Sequence, residues 1–360
     1  MRLKADYTKH TLKFTFVAGT SRGTLTEHDT YFILLKSNDA VGIGECAPLK
    51  GLSPDYRPDL AEKIQDVLSK IENAPFPEDE EGITDFIDKH ISTNFPALRF
   101  GVETALRDLL QGGERKIFPS VFQSNSFPPI PINGLVWMGD RDFMKRQIDE
   151  KLVQGFNCIK LKIGAIDFTT ELSLLVYIRE NYSADRITIR VDANGAFSPG
   201  EALAKLQQLA EYDLHSIEQP IATGQLEEMQ KLCKVTPLPI ALDEELIGVT
   251  SLESQAKLLD HTQPQYIILK PTLLGGLAAT EQWIQLAEAR NIGWWMTSAL
   301  ESNIGLNAIA QFAAYKQVTM PQGLGTGKLY HNNVPSPLHI QQGNLHYLPD
   351  QSWDLSLVLS

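Results

Sequence analysis

From about residue 131 onward the chain repeats one unit: a short β-rich run, a helical pattern, then the next β-rich run. The runs fall at 130–136 (IPINGLV), 158–164, 187–194, 215–220, 238–245, 266–271, 292–300 and 322–327. Strands alternating with helices at such intervals predict βα units and parallel pairing, because a parallel neighbour requires a crossover. Eight such strands within roughly 200 residues match a closed parallel barrel, with a doubly wound open sheet as the competing arrangement.

The first 125 residues read differently. Runs at 11–18, 30–37 and 41–47 alternate or are β-rich, with Gly and polar residues between them, which predicts an antiparallel meander. Helical patterns follow at 58–72, 77–92 and 96–111, the last ending at a Gly pair. Strands followed by helices indicate an α+β domain. The expected organisation is an α+β capping domain over 1–125, a barrel over 126–330 and a tail over 331–360 that returns to the cap. Residues 119–131, with four prolines, read as the linker, and LHIQQ and LSLVL in the tail as short strands.

Composition narrows the class. With 32 Lys and Arg against 44 Asp and Glu the formal charge is -12, which argues against a broad nucleic-acid or anionic-membrane surface. No run of about 20 apolar residues exists to span a bilayer. The N-terminal stretch has no apolar core of a signal peptide. Three widely spaced cysteines, Cys46, Cys158 and Cys233, suit a reducing cytoplasm rather than a disulfide framework. No motif in the chain sets an oligomeric state.

The charges at the strand ends carry the chemistry. Lys160 and Lys162 share one face of the second strand, and Asp192, Glu218, Asp243 and Lys270 end the next four, at intervals of 30, 26, 25 and 27 residues from Lys162. Barrel enzymes build their sites at the C-terminal ends of the strands. Taken singly, each residue has a plainer reading: a strand-end Asp caps the following helix, Glu218 is a solvated loop residue, and the lysines snorkel. Taken together, three converging carboxylates repel unless a cation and ammonium groups compensate them. All-oxygen ligands favour a hard ion, so Asp192, Glu218 and Asp243 are expected to hold Mg²⁺, with Mn²⁺ able to substitute. Zinc would want His or Cys, and the eight histidines form no ligand motif. A lysine near its usual pKa of about 10.4 is a poor base at pH 7. A neighbouring ammonium and a divalent cation disfavour its charged form, which makes Lys160 a modulator of Lys162. Lys270, arriving from the other side, is placed to stabilise the enolate left when a proton α to a carboxylate departs.

These motifs resemble the muconate-lactonizing subgroup of the enolase superfamily: K-x-K at 160–162, V-D-A-N at 191–194, I-E-Q-P at 217–220, L-D-E at 242–244 and L-K-P at 269–271. GIGECAPL at 42–49 is similar to the capping domains of that subgroup. The resemblance implies a modified (β/α)7β barrel beneath an α+β cap, and a lysine base working with Mg²⁺. Within the subgroup the chain is most similar to the o-succinylbenzoate synthase family. AGTSRG at 18–23 resembles its cap loop, and TSALESNIGL at 297–306 with QGLGTG its last strands. This implies syn dehydration of a succinylated hydroxycyclohexadiene carboxylate in menaquinone biosynthesis. Lys162 would act as base and then acid, and Lys270 as electrostatic or cation–π partner of the enediolate. The substrate is thus a small anionic carboxylate.

Dipeptide epimerases resemble the same pattern but carry Asp-x-Asp near the eighth strand for the substrate ammonium, where this chain has Gly325-Thr326-Gly327. N-acylamino acid racemase and muconate cycloisomerase share the lysine and metal frame, and a catalytically silent metal-binding scaffold is the alternative of another class. Ser21 and Arg22 are candidate substrate contacts from the cap. Arg190, Asn194, Ser298 and Glu301 are candidate substrate contacts or orienting groups in the barrel, and Glu244 is a candidate support on the opposite strand face. G-x-S-x-G at 19–23 is a loop rather than a nucleophile elbow, because a strand follows it. GLGTGK at 323–328 fails the phosphate-loop pattern at its first and last positions. Trp294 and Trp295 read as barrel packing.

Overall fold

The computed structural model describes residues 3–20, 23–37, 40–77, 79–123 and 127–359. Three antiparallel strands open the chain: β1 (Lys4–Thr20), β2 (Gly23–Ser37) and β3 (Ala40–Cys46). The β1–β2 ribbon is longer than the alternation predicts. It runs in register from Lys4↔Lys36 to Lys13↔Glu27, shifts, and resumes from Ala18↔Leu25 to Thr20↔Gly23. The stretch at 19–27, expected as a connection, is thus largely ribbon, and Ser21 and Arg22 lie outside the described residues.

Helices α1 (Leu60–Glu72), α2 (Glu80–His90) and α3 (Pro96–Leu110) follow. Helix α3 lies against β3 because Gly42 and Gly44 leave room. A Cβ on Gly42 would stand 2.1 Å from the Ala105 carbonyl oxygen, and one on Gly44 1.9 Å from that of Gly101. Asp55 accepts the Ala97 and Leu98 amides at 2.8 and 3.2 Å, satisfying two donors of the first turn of α3.

The barrel is a seven-stranded parallel sheet formed by β5 (Gly134–Val136), β6 (Cys158–Lys162), β7 (Thr188–Asp192), β8 (Ser216–Glu218), β9 (Ile240–Leu242), β10 (Tyr266–Leu269) and β11 (Gly293–Met296) in sequence order. Helices α4 (Arg141–Val153), α5 (Phe168–Asn181), α6 (Pro199–Ala210), α7 (Leu226–Val235), α8 (Leu252–Thr262), the short α9 (Pro271–Leu274), α10 (Leu277–Glu288) and α11 (Asn303–Tyr315) connect or follow these strands. The eighth element closes the circle by single parallel bridges, Thr297↔Gly323 and Ile132↔Gln322. It is less of a strand than expected: alternate glycines offer few side chains to hold a ladder, and the chain coils at Thr326–Lys328.

The run at 130–136 is divided. Strand β4 (Ile130–Pro131) pairs with β13 (Asn344–Tyr347), which forms a hairpin with β12 (Leu338–Gln341), while β5 joins the barrel. LSLVL at 355–359 is a turn rather than a strand. Its Val358 is buried against Phe32, Leu34 and Ile43, and Thr8 Oγ1 donates to the Val358 carbonyl at 3.0 Å.

Cap and barrel are joined by polar groups as well as apolar ones. Glu45 on β3 accepts from Thr30 Oγ1, the Ser302 amide and hydroxyl and the Gly305 amide, at 2.8, 2.8, 2.6 and 2.7 Å. The last three belong to the N-terminus of α11, where a carboxylate satisfies orphan donors. Burial pushes the Glu45 carboxyl up to about 7 against those hydrogen bonds. Among the described residues, no helix is long and apolar enough to cross a membrane.

Candidate active site

Parallel register places the ionisable residues in one layer. Lys162 pairs with Asp192 and Asp192 with Glu218, so all three side chains point to the same face. Asp243 and Lys270 stand one residue beyond the ends of β9 and β10. The ammonium groups and carboxylates interleave. Lys160 contacts Asp192 at 3.0 Å and hydrogen-bonds Glu218; Lys162 contacts Asp192 at 3.0 Å; Lys270 bonds Asp243.

The electrostatics follow from that interleaving. Burial opposes the charge on Asp192, but Lys160, Lys162 and Lys270 outweigh it and hold its carboxyl well below the usual range. Burial pushes Glu218 up to about 7 in spite of Lys160. It also raises Asp243 against Lys270. Burial works against the charge of both Lys160 and Lys270. Asp192, Glu218 and Asp243 more than offset it for the former, as Asp243 and Glu244 do for the latter, and both pKa values rise.

Asp192 does not cap a helix. Its Oδ1 accepts the Asn194 amide at 3.0 Å, and α6 takes its capping box from Ser198 and Glu201 instead. Asn194, in the left-handed region at φ 44°, accepts from Lys162 Nζ at 2.8 Å and donates to Glu244 at 3.0 Å. The sequence pattern directs Glu244 away from Asp243 on a continuing strand. The strand stops at Leu242, and a helical turn over Glu244–Leu246 brings the side chain to Asn194. Gln219, also left-handed at φ 35°, accepts the Asp243 amide at 3.2 Å and so ties β8 to the position of Asp243.

Lys160, Lys162, Asp192, Asn194, Lys270 and Ser298 line a single cavity of about 1030 Å³. The cap contributes Phe16, Leu25 and Leu49–Leu52 to it, the last directly following GIGECAP. Ser298 donates to Glu301 and accepts from Thr326 Oγ1 at 2.9 Å. Two of the expected substrate contacts lie elsewhere. Arg190 is fully buried below the lysine–carboxylate layer, with one nitrogen on the Pro321 carbonyl at 2.7 Å and its guanidinium 3.9 Å from the Trp295 ring centroid. Glu301 is fully buried, its oxygens taken by Thr272, Ser298 and the Ala299 amide. Neither lines the cavity, so direct substrate contact is withdrawn for both.

Leu300, within the TSALESNIGL stretch but not singled out as a contact, lines the cavity. It sits in the left-handed region at φ 69°, with its carbonyl accepting from Tyr330 Oη at 2.6 Å and His28 Nδ1 at 2.9 Å. The neighbouring Trp137, Phe14 and Tyr330 form the aromatic contact between ribbon and barrel mouth.

Asp192, Glu218 and Asp243 are the residues that could hold a hard divalent cation. The donor set is all oxygen, and Glu218 Oε1 is a buried oxygen without a hydrogen-bond partner among the described residues. As they stand, no three His, Cys, Asp or Glu among the described residues are drawn into a metal-holding group, because lysine ammonium groups stand against these carboxylates.

Residues 143–352 match the enolase C-terminal domain-like family. The chain belongs to that family. Within it, an o-succinylbenzoate synthase from Desulfotalea psychrophila is 48% identical over 365 residues, covering 95% of this chain and 98% of that one. The crystal structure of MenC from the same organism superposes with a TM-score of 0.84 at 44% identity, over 96% of this chain and 100% of that one. A dipeptide epimerase from Enterococcus faecalis, solved with Mg and L-Leu-L-Tyr, gives a TM-score of 0.84 at 21% identity over 98% of both chains, a likeness of fold alone. These neighbours agree with a cap on a (β/α)7β barrel, as the family resemblance implies.

Proposed function

We propose that the chain catalyses the Mg²⁺-dependent syn elimination of water from 2-succinyl-6-hydroxy-2,4-cyclohexadiene-1-carboxylate, giving o-succinylbenzoate for menaquinone biosynthesis in the cytoplasm. The observation that carries this reading is one cavity lined by Lys162 and Lys270 above a carboxylate layer, in a chain 48% identical to an o-succinylbenzoate synthase. Three free, buried cysteines fit a reducing compartment.

In this reading Lys162, when neutral, takes the proton α to the ring carboxylate. The electron pair of the broken C–H bond moves into that carboxylate as an enediolate. Collapse of the enediolate breaks the bond to the hydroxyl, which leaves as water with the proton returned by Lys162. One lysine serving both steps requires both groups on the same face of the ring, hence syn elimination. Asp192 and Asn194 hold the Lys162 nitrogen in place, at 3.0 and 2.8 Å. Lys270 presents its ammonium to the enediolate. A divalent cation held by Asp192, Glu218 and Asp243, Mg²⁺ or in its place Mn²⁺, would supply positive charge against the substrate carboxylate. Residues 1–125 would shape the substrate's end of the cavity, residues 126–330 carry the proton transfer, and residues 331–360 brace the cap.

Purified protein with Mg²⁺ is expected to form o-succinylbenzoate. EDTA should remove that turnover, and Lys162→Ala should lower it by about 10³-fold or more. Turnover that survives both changes overturns the mechanism. Dipeptide racemisation without dehydration transfers the reading to the epimerases.

A further inference from the structure

Two of the eight histidines, seven residues apart and part of no ligand motif in sequence, become neighbours through the tail hairpin. His339 on β12 stands directly opposite His346 on β13. The register is fixed by a two-residue turn, Gln342-Gly343, with both residues in the left-handed region at φ 47° and 68°. Ile340 and Leu345 pair on one face of the hairpin, packed with Leu338 and Tyr347 against the barrel core. Alternation therefore turns His339 and His346 to the other face, where both are half-buried. Gln341 and Asn344 are the next pair on that face. Among the described residues, neither imidazole makes a hydrogen bond, ion pair or ring contact.

We propose that His339 and His346 chelate a divalent transition cation, Zn²⁺, that cross-links β12 to β13. Side chains directly opposite in an antiparallel pair have Cβ atoms about 4.5–5.5 Å apart. Two nitrogens on one tetrahedral Zn²⁺ stand about 3.3 Å apart, so the two imidazoles can converge on one ion without moving the backbone. Imidazole suits such a borderline ion, whereas Mg²⁺ keeps to oxygen, so this site and the carboxylate layer would take different metals. Water would complete the coordination, since no third His, Cys, Asp or Glu joins the pair among the described residues. The link has a mechanical consequence. Strand β12 is the edge of its sheet, paired among the described residues with β13 alone, and β13 in turn pairs with β4 at the entry to the barrel. A chelate across the first pair fastens that edge. The proposal is independent of the reaction assigned above.

The test titrates the full protein with Zn²⁺ in excess Mg²⁺, followed by calorimetry and by amide hydrogen exchange. Wild type is expected to bind one more Zn²⁺, in the micromolar range, than the double variant His339→Gln with His346→Gln. Each single substitution should weaken that site by roughly 10-fold or more, because one ligand of the chelate is gone. Zn²⁺ should slow exchange of the Leu338–Gln341 amides in wild type and leave it unchanged in the double variant. Gln keeps an outward polar side chain, so the variants should melt with the wild type when no Zn²⁺ is present. Stoichiometric Cu²⁺ on wild type gives a reading free of substitutions: its electron paramagnetic resonance should show coupling to two imidazole nitrogens. Zn²⁺ binding that persists in the double variant, that needs millimolar ion, or that leaves exchange in β12 unchanged overturns the chelate. Coupling of Cu²⁺ to a single nitrogen overturns it as well.

Discussion

At the scale of single residues, the site depends on atoms that aim other atoms. Asn194 receives the Lys162 ammonium on one side of its amide and gives a hydrogen to Glu244 on the other, in a left-handed backbone suited to Asn. Asn194→Ala should therefore lower kcat by about 10- to 100-fold with a small change in KM, measured by steady-state kinetics. His215 offers a pH test. Burial, then the charge of Arg190, lowers its pKa to about 4, while its Nδ1 meets Ser216 Oγ at 2.9 Å and its ring lies against Tyr266. A depressed histidine favours the neutral form in the fold. Its contribution is complete above the unfolded pKa of about 6.5 and is lost as pH falls from there toward 4. The imidazole resonances of His215 should stay unprotonated at pH 6 by NMR, and His215→Phe should lessen the loss of stability between pH 6.5 and 4 in urea titrations.

Such aiming is where the sequence becomes hard to read. The charged residues themselves were legible, because strand rhythm and the intervals between Lys162 and Lys270 placed them at strand ends. Glu244 was legible as a support but not in its direction, since nothing in L-D-E-E announces that the strand stops at Leu242. Arg190 alternates with Asp192 on β7 and so reads as a site residue. One layer deeper in a barrel, however, the same face meets Trp295 rather than substrate. Periodicity gives the face of a strand and not the depth along it.

At the scale of elements, the glycines of GIGECAPL have a packing purpose distinct from chemistry. They bring β3 so close to α3 that neither position admits a methyl group against the backbone opposite. Gly44→Ala should destabilise the protein by about 1–3 kcal/mol, from overpacking against a rigid helix, as measured by chemical denaturation. Alternation predicted the cap strands, but it missed the full β1–β2 ribbon. Polar residues at 19–27 suggest a loop, whereas cross-strand pairing continues to Thr20↔Gly23. The LSLVL tail failed in the opposite sense: its residues favour a strand, but Val358 finds its burial against the cap without a strand partner.

At the scale of the whole molecule, Glu45 joins cap to barrel through four donors, three of them on the far side of the interface. Glu45→Ala strands buried donors at the start of α11. It should cost about 1–3 kcal/mol in stability and raise KM more than it lowers kcat, because cap residues Leu49–Leu52 follow it directly into the cavity wall. Thermal denaturation and steady-state kinetics on the same variant check both parts.

The seam gives the molecule a further property. Seven strands in continuous register carry the proposed acid–base layer, whereas the eighth element is pinned by single bridges at Gln322 and Gly323. Residues 326–328, after those bridges, form a short helical turn outside any ladder, whereas Lys162 and Asp192 stand opposite each other in one. In such a barrel the spacing of the proposed reacting groups and the shape of the wall at Gly325–Lys328 are set by different stretches of backbone.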